Sequence, residues 1–333
     1  MRGLDDLVDE VAGEHDFSGV VRVDRAGEIV LAAAFGLANR AARIPNSVDT
    51  VFALASGAKG LTALAVARLI EDGSLDLSTT ARSVLGADLP LIDDAVTVEH
   101  LLSHRSGIGD YFDEDAGGAI TDYVLPVPVH ELDSTEAYLA VLDGHRTAFA
   151  PGERFAYCNG GYVVLALIAE RRSGVPFAEL VRSRVCEPAG MNDTAFLRSD
   201  ELPGNAALGY LSTEGARTNV FHLPVLGSGD GGIYSTVADI ASLWVALFEG
   251  KIVAPTRVSE LVTPRSEVPS ESKRYGLGFW LNETGNGVIL EGYDAGVSFR
   301  TVHDPDTSLT YTVISNTSDG AWPMARCLAE HVR

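Results

Sequence analysis

Runs suited to β-strands lie at the two ends of this 333-residue chain, while helical patterns dominate between them. Near the N-terminus, "SGVVRVDRAGEIVLAAAFG" (18–36) reads as a hairpin with Gly27 in its turn. Near the C-terminus, "YGLGFWLN", "GVILEGYDA", "VSFRTVHD" and "LTYTVISN" are four strand-like runs separated by turns such as "ETGNG" and "PDTS". Between them, "VTVEHLLSH", "STEAYLAVLDG" and "NGGYVVLALIAERRSG" carry helical patterns, with glycine-, proline- and aspartate-rich loops. Helices are also expected at 3–14, 56–72 (closed by Gly73), 236–250 (opened by a Thr236/Asp239 capping box) and 321–332. The expected class is α/β in the α+β sense. An antiparallel sheet is built from the N- and C-terminal segments, flanked by helices, and carries an inserted, mainly helical subdomain. The sheet domain is expected to span 1–78 and 225–333, the insert 79–224, with the active site at their interface.

The most informative short stretch is "VFALASGAKGLTALAVARLIEDG" (51–73). The chain holds only three lysines, Lys59, Lys251 and Lys273, among 25 basic residues. Lys59 stands three residues after Ser56 at the head of an apolar helix, on the same helical face. The first-turn N–H groups and the positive end of the helix dipole suit a developing oxyanion at Ser56. A lysine desolvated by apolar neighbours can lose its proton and accept that of a serine. Arginine cannot, because its guanidinium stays protonated.

Spacing alone is weak support. "SESK" (270–273) repeats Ser-x-x-Lys within the polar stretch "RSEVPSESKRYG" and reads as a solvated loop. A second element adds weight to the first copy. "RFAYCNGGYVVLALIAE" supplies Tyr157 and Asn159, the only Tyr-x-Asn in the chain, just ahead of a helix. A tyrosine hydroxyl can relay a proton and an asparagine amide can hold a substrate carbonyl.

Together these residues resemble the penicillin-binding and β-lactamase-like serine hydrolase superfamily, particularly its class C β-lactamase and esterase branch. "VEHLLSHRSGI" (98–108) and "GGIYSTVADIASL" (231–243) extend the likeness to nearly the whole chain. The resemblance implies that Ser56 is the nucleophile, Lys59 its base or proton partner, and Tyr157 a second proton-transfer group. It implies that Asn159 contacts substrate and lysine. Whether lysine or tyrosinate is the acylation base stays open. The third motif departs from the family's K-T-G or H-x-G. The matching strand reads "LEGYDAGVSFRT", aligned as Tyr293, Asp294, Ala295 and Gly296, with no cation and with Glu291 nearby. The backbone N–H of Gly296 is expected to complete an oxyanion hole with that of Ser56. Tyr293 and Asp294 are expected to face the substrate, Asp294 as a candidate amine anchor. Without the cation, carboxylate-bearing substrates are disfavoured.

The expected function is therefore an esterase or amide hydrolase working through an acyl-enzyme on a small neutral or amine-bearing substrate. A β-lactamase or D,D-peptidase, or a catalytically silent ligand-binding homologue, are the alternatives. A formal charge of −21 and a pI near 4.6 argue against nucleic-acid and anionic-membrane partners. No apolar run reaches membrane-spanning length, the acidic N-terminus lacks a signal-peptide core, and the three cysteines show no paired spacing. A cytoplasmic location is expected. No metal or other cofactor is expected: His100 and His104 lack the H-E-x-x-H signature, and "GSGDGG" has no βαβ unit around it. Oligomeric state is not legible.

Overall fold

The computed structural model describes residues 3–112 and 117–332. Eight antiparallel strands form the main sheet. They are β1 (Gly19–Arg25), β2 (Glu28–Phe35), β3 (Ser266–Val268), β4 (Lys273–Tyr275), β5 (Trp280–Asn282), β6 (Val288–Asp294), β7 (Val297–Asp304) and β8 (Leu309–Ser315). Their spatial order is β2-β1-β8-β7-β6-β5-β4-β3. The N-terminal hairpin turns at Gly27, whose φ of +84° suits glycine. Its first strand then pairs with the last strand of the chain, from Gly19↔Ser315 to Arg25↔Leu309. A Cβ at Gly19 would lie 2.0 Å from the Ile314 carbonyl oxygen, so this join requires glycine.

Alternation along the strands splits the apolar side chains between two faces. Val21, Val23 and Val313 pack under helices α1 (Leu4–Glu14) and α5 (Ala321–His331), against Val8, Met324 and Leu328. Val20, Leu290, Phe299 and Ile314 face the larger core, shared with α2 (Ala58–Glu71), α3 (Asn159–Ser173) and α4 (Val237–Phe248). Every residue from Ala58 to Ala67 and from Asn159 to Ala169 is buried. Helices buried on all sides belong in an interior, which is why α2 and α3 lie at the centre of the core that the sheet and the insert share.

Two local details differ from the sequence reading. Ala55–Gly57 forms a 3-10 turn, and α2 proper begins at Ala58. At the head of α4 the Thr236 side chain accepts the Asp239 N–H, but the Asp239 carboxylate instead accepts from the Asp193 N–H and the Thr194 hydroxyl. The cap is thus one-sided, and the acid ties a distant loop to α4.

Candidate active site

The 3-10 turn places Ser56 at the mouth of α2, after Ala55, whose φ of +45° is unusual for a residue with a side chain. One turn on, Lys59 is 2% exposed. Its Nζ lies 2.8 Å from Ser56 Oγ, 2.7 Å from Asn159 Oδ1 and 2.8 Å from the Asp230 carbonyl oxygen. Two of these partners can only accept, so two N–H bonds are committed to them. The third contact is to a hydroxyl, which can donate or accept. At 2.8 Å, the Lys59 Nζ and Ser56 Oγ atoms are close enough for a proton to pass between them.

Asn159 is held from behind. The Asp110 carboxylate accepts the backbone N–H groups of Asn159 and Gly160 at 2.5 and 2.8 Å, capping the N-terminus of α3. Burial pushes the Asp110 carboxyl up to about 6, against the opposing effect of those hydrogen bonds. The "GSGDGG" loop supplies the Asp230 carbonyl to Lys59 and the Gly229 carbonyl to the Thr62 hydroxyl. Its role is to hold α2. The Asp230 carboxylate accepts from Tyr111 at 2.5 Å, and burial raises its pKa.

Tyr157 enters from the segment before α3, with its ring centre 5.0 Å from Lys59 Nζ. The ring stacks on Trp280 and lies 4.3 Å, centre to centre, from the His104 ring. His104 Nδ1 accepts the Cys158 N–H, and burial, reinforced by Lys59, lowers its pKa well below the ordinary value. A neutral His104 therefore braces the backbone of the Tyr-x-Asn segment. Cys158 is buried there, and burial pushes its thiol pKa upward, as befits a packing residue.

The third motif lies at the end of β6. A Cβ at Gly292 would sit 2.1 Å from the Leu54 carbonyl oxygen and 2.9 Å from the Ser56 nitrogen. The backbone at Gly292 therefore touches the nucleophile turn. Gly296 does not take the place expected of it. It lies in the β6–β7 turn with φ of +72°, and its N–H donates to Ser318 Oγ at 2.8 Å. Tyr293 lines recesses on both sides of Ser56, and Asp294 lines one of them.

The wider recess, about 430 Å³, is lined by Ser56, Tyr157, Lys273, Trp280, Glu291 and Arg300, among others. Here the second Ser-x-x-Lys is corrected. Lys273 is the first residue of β4, its side chain is 11% exposed, and it is no part of a solvated loop. Its Nζ is 2.5 Å from Glu291 Oε1, while Arg300 Nη2 and Nε contact Glu291 Oε2 at 2.7 and 3.0 Å. Burial alone would raise the Glu291 pKa, but the two cations hold it below its ordinary value. The cleft therefore has cations, contrary to the reading of the third motif by itself. The smaller recess opposite is lined by Tyr111, Tyr123, Asn159, Asp230 and Asp294 beside Ser56.

A β-lactamase family model matches residues 4–331. The chain belongs to the β-lactamase family. It is similar to a penicillin-binding protein from Bacillus halodurans, whose crystal structure superposes with a TM-score of 0.91 at 35% identity, over 97% of this chain and 99% of that one. Esterase EstB from Burkholderia gladioli is 35% identical over 59% of this chain and 52% of its own length. A D-aminopeptidase from Brucella suis biovar 1 is 31% identical over 92% of this chain. This β-lactamase-family chain spans 58% of that aminopeptidase's length. No helix among the described residues is long and apolar enough to cross a membrane.

In this β-lactamase-family serine hydrolase, Lys59 contacts Ser56 and Asn159, and the Tyr157 ring lies beside it. Sequence reasoning missed Gly292, Asp110, Asp230, Lys273 and Arg300. The third motif was aligned on Gly296, whereas it is the backbone at Gly292 that meets the nucleophile turn and the Gly296 N–H that is given to Ser318. Arg300 arrives from β7, the neighbour of β6, and Lys273 from β4, one strand beyond β5, which no local pattern announces.

Proposed function

We propose that the protein hydrolyses ester or amide bonds of small neutral or amine-bearing substrates through an acyl-enzyme on Ser56. The observation that carries this reading is the contact of the buried Lys59 Nζ with Ser56 Oγ, Asn159 Oδ1 and the Asp230 carbonyl. Neutral Lys59 takes the Ser56 proton as Oγ attacks the substrate carbonyl carbon. The tetrahedral oxyanion is stabilised by the Ser56 N–H and by the backbone at Gly292–Tyr293, in place of Gly296. As the intermediate collapses, the scissile bond breaks and the leaving group takes a proton from Lys59, with Tyr157 as relay. Water then attacks the acyl carbon, passing a proton to Lys59; the acyl carbon–Oγ bond breaks, the carboxylic acid leaves, and Lys59 returns the proton to Ser56 Oγ.

Support for the substrate class comes from charge. Glu291 neutralises Lys273 and Arg300 on one side of Ser56, and Asp230 and Asp294 border the other. Among the described residues, the lysine and arginine lining these recesses, Lys273 and Arg300, are both paired with Glu291. Relatives named as an esterase and a D-aminopeptidase agree with ester and amide chemistry.

Mass spectrometry after incubation with a fluorophosphonate, and separately with a penicillin, tests the reading. An adduct on Ser56 with the phosphonate alone is expected. Adducts with both would favour a penicillin-recognising enzyme. No adduct in folded protein would leave a silent ligand-binding homologue. Ser56→Ala is expected to lower p-nitrophenyl ester turnover by at least about a thousandfold. Lys59→Arg keeps the charge but cannot be a neutral base, and is expected to cost about 10²–10⁴-fold. Near-native turnover in either variant would refute the role given to that residue.

A further inference from the structure

The Lys273–Glu291–Arg300 cluster has the form of an anion site already filled. Glu291 and Arg300 are directly opposed across β6 and β7, and Lys273 reaches the other carboxylate oxygen from β4. Both oxygens are therefore gripped by cations, as a bound carboxylate's would be. Lys273 Nζ lies 4.9 Å from the Trp280 ring centre, and the Arg300 guanidinium lies 5.3 Å from that of Trp322. The rings fix the cations on the wall of the recess that holds Ser56. Glu271, 3.6 Å from Lys273, adds a second negative charge, so two cations face two carboxylates. With Glu291 neutral, one positive charge would be left over in a recess within reach of the nucleophile.

We propose that Glu291 is a specificity-determining residue, an internal carboxylate that occupies a two-cation site and thereby excludes carboxylate-bearing ligands from the cleft beside Ser56. A substrate carboxylate must displace Glu291, which then lies buried near a second anion. A neutral ligand meets no such conflict. The inference rests on the hydrolase reading only for its kinetic arm.

The kinetic test compares 4-acetoxybenzoate with its methyl ester, which differ in one charge distant from the acetyl carbonyl. Glu291→Gln is expected to raise the ratio of kcat/KM for the anionic over the neutral ester by at least about tenfold. Glu291→Gln/Lys273→Met, which removes one charge of each sign, is expected to bring the ratio back toward the native value. Lys273→Met alone leaves acid in excess and is expected to lower the ratio below native. Should Glu291→Gln fail to fold, this single variant still decides. An unchanged or raised ratio in Lys273→Met, or an unchanged ratio in folded Glu291→Gln, would overturn the proposal.

A binding arm needs no turnover. Calorimetry with benzoate on Ser56→Ala and Ser56→Ala/Glu291→Gln is expected to show at least about tenfold tighter binding in the double variant. Equal affinities would overturn the role of Glu291. If the native enzyme cleaves neither ester, the hydrolase reading fails while the binding arm still judges the inference.

Discussion

Ser56 and Lys59 were legible because their roles depend on local spacing, three residues on one helical turn. Gly292 was not, because its importance comes from what lies across from it. With a Cβ there 2.1 Å from the Leu54 carbonyl oxygen and 2.9 Å from the Ser56 nitrogen, either β6 or the nucleophile turn must move. Gly292→Ala is therefore expected to lower ester turnover by more than about a hundredfold, since a shift near 1 Å at the reacting atoms costs that much. Its melting temperature is expected to fall as well. Measured kcat/KM near the native value would show that β6 does not brace Ser56. Gly296 shows the opposite case. It fits the sequence pattern, yet its N–H is given to Ser318.

Among the elements, α3 bears the clearest pH signature. Asp110 caps its N-terminus and so sets the position of Asn159 against Lys59. The Asp110 pKa rises from 3.8 to about 6 on folding, with burial the main cause. Between those values the folded chain keeps a proton that the unfolded chain has released. Stability therefore falls as pH rises through that window and levels off above it. The free energy involved is about 3 kcal/mol. In denaturant titrations, the unfolding free energy of the native protein minus that of Asp110→Asn is expected to fall by roughly this amount between pH 4 and 7. A flat or rising difference would remove Asp110 as the source. The helix itself could be read from its run of apolar residues. Its cap could not, because the acid lies 49 residues before Asn159.

At the scale of the whole molecule, the larger core runs without interruption from Phe299 and Ile314 of the sheet, through α2 and α3, to Leu102 and Tyr138 of the insert. The boundaries expected at 78/79 and 224/225 do not separate two cores. Unfolding is therefore expected to be one cooperative transition despite the length of the chain. Far-UV circular dichroism and the fluorescence of Trp244, Trp280 and Trp322 should share a midpoint. Two resolved transitions would show that insert and sheet hold together only weakly.

By itself the sequence determined that a sheet would be made from the two ends of the chain. It also determined that Ser56 and Lys59 would stand one turn apart, and that Tyr157 and Asn159 would open a buried helix. Those features follow from period, propensity and side-chain chemistry, which act over a few residues. Tertiary structure alone decided which glycine meets Ser56, and that Lys273 and Arg300 clasp Glu291 in the cleft. Strand order and register bring together residues 273, 291 and 300, and no local preference encodes which strands become neighbours. The charge balance of the cleft was thus written in the sheet, after the nucleophile had been written in the helix.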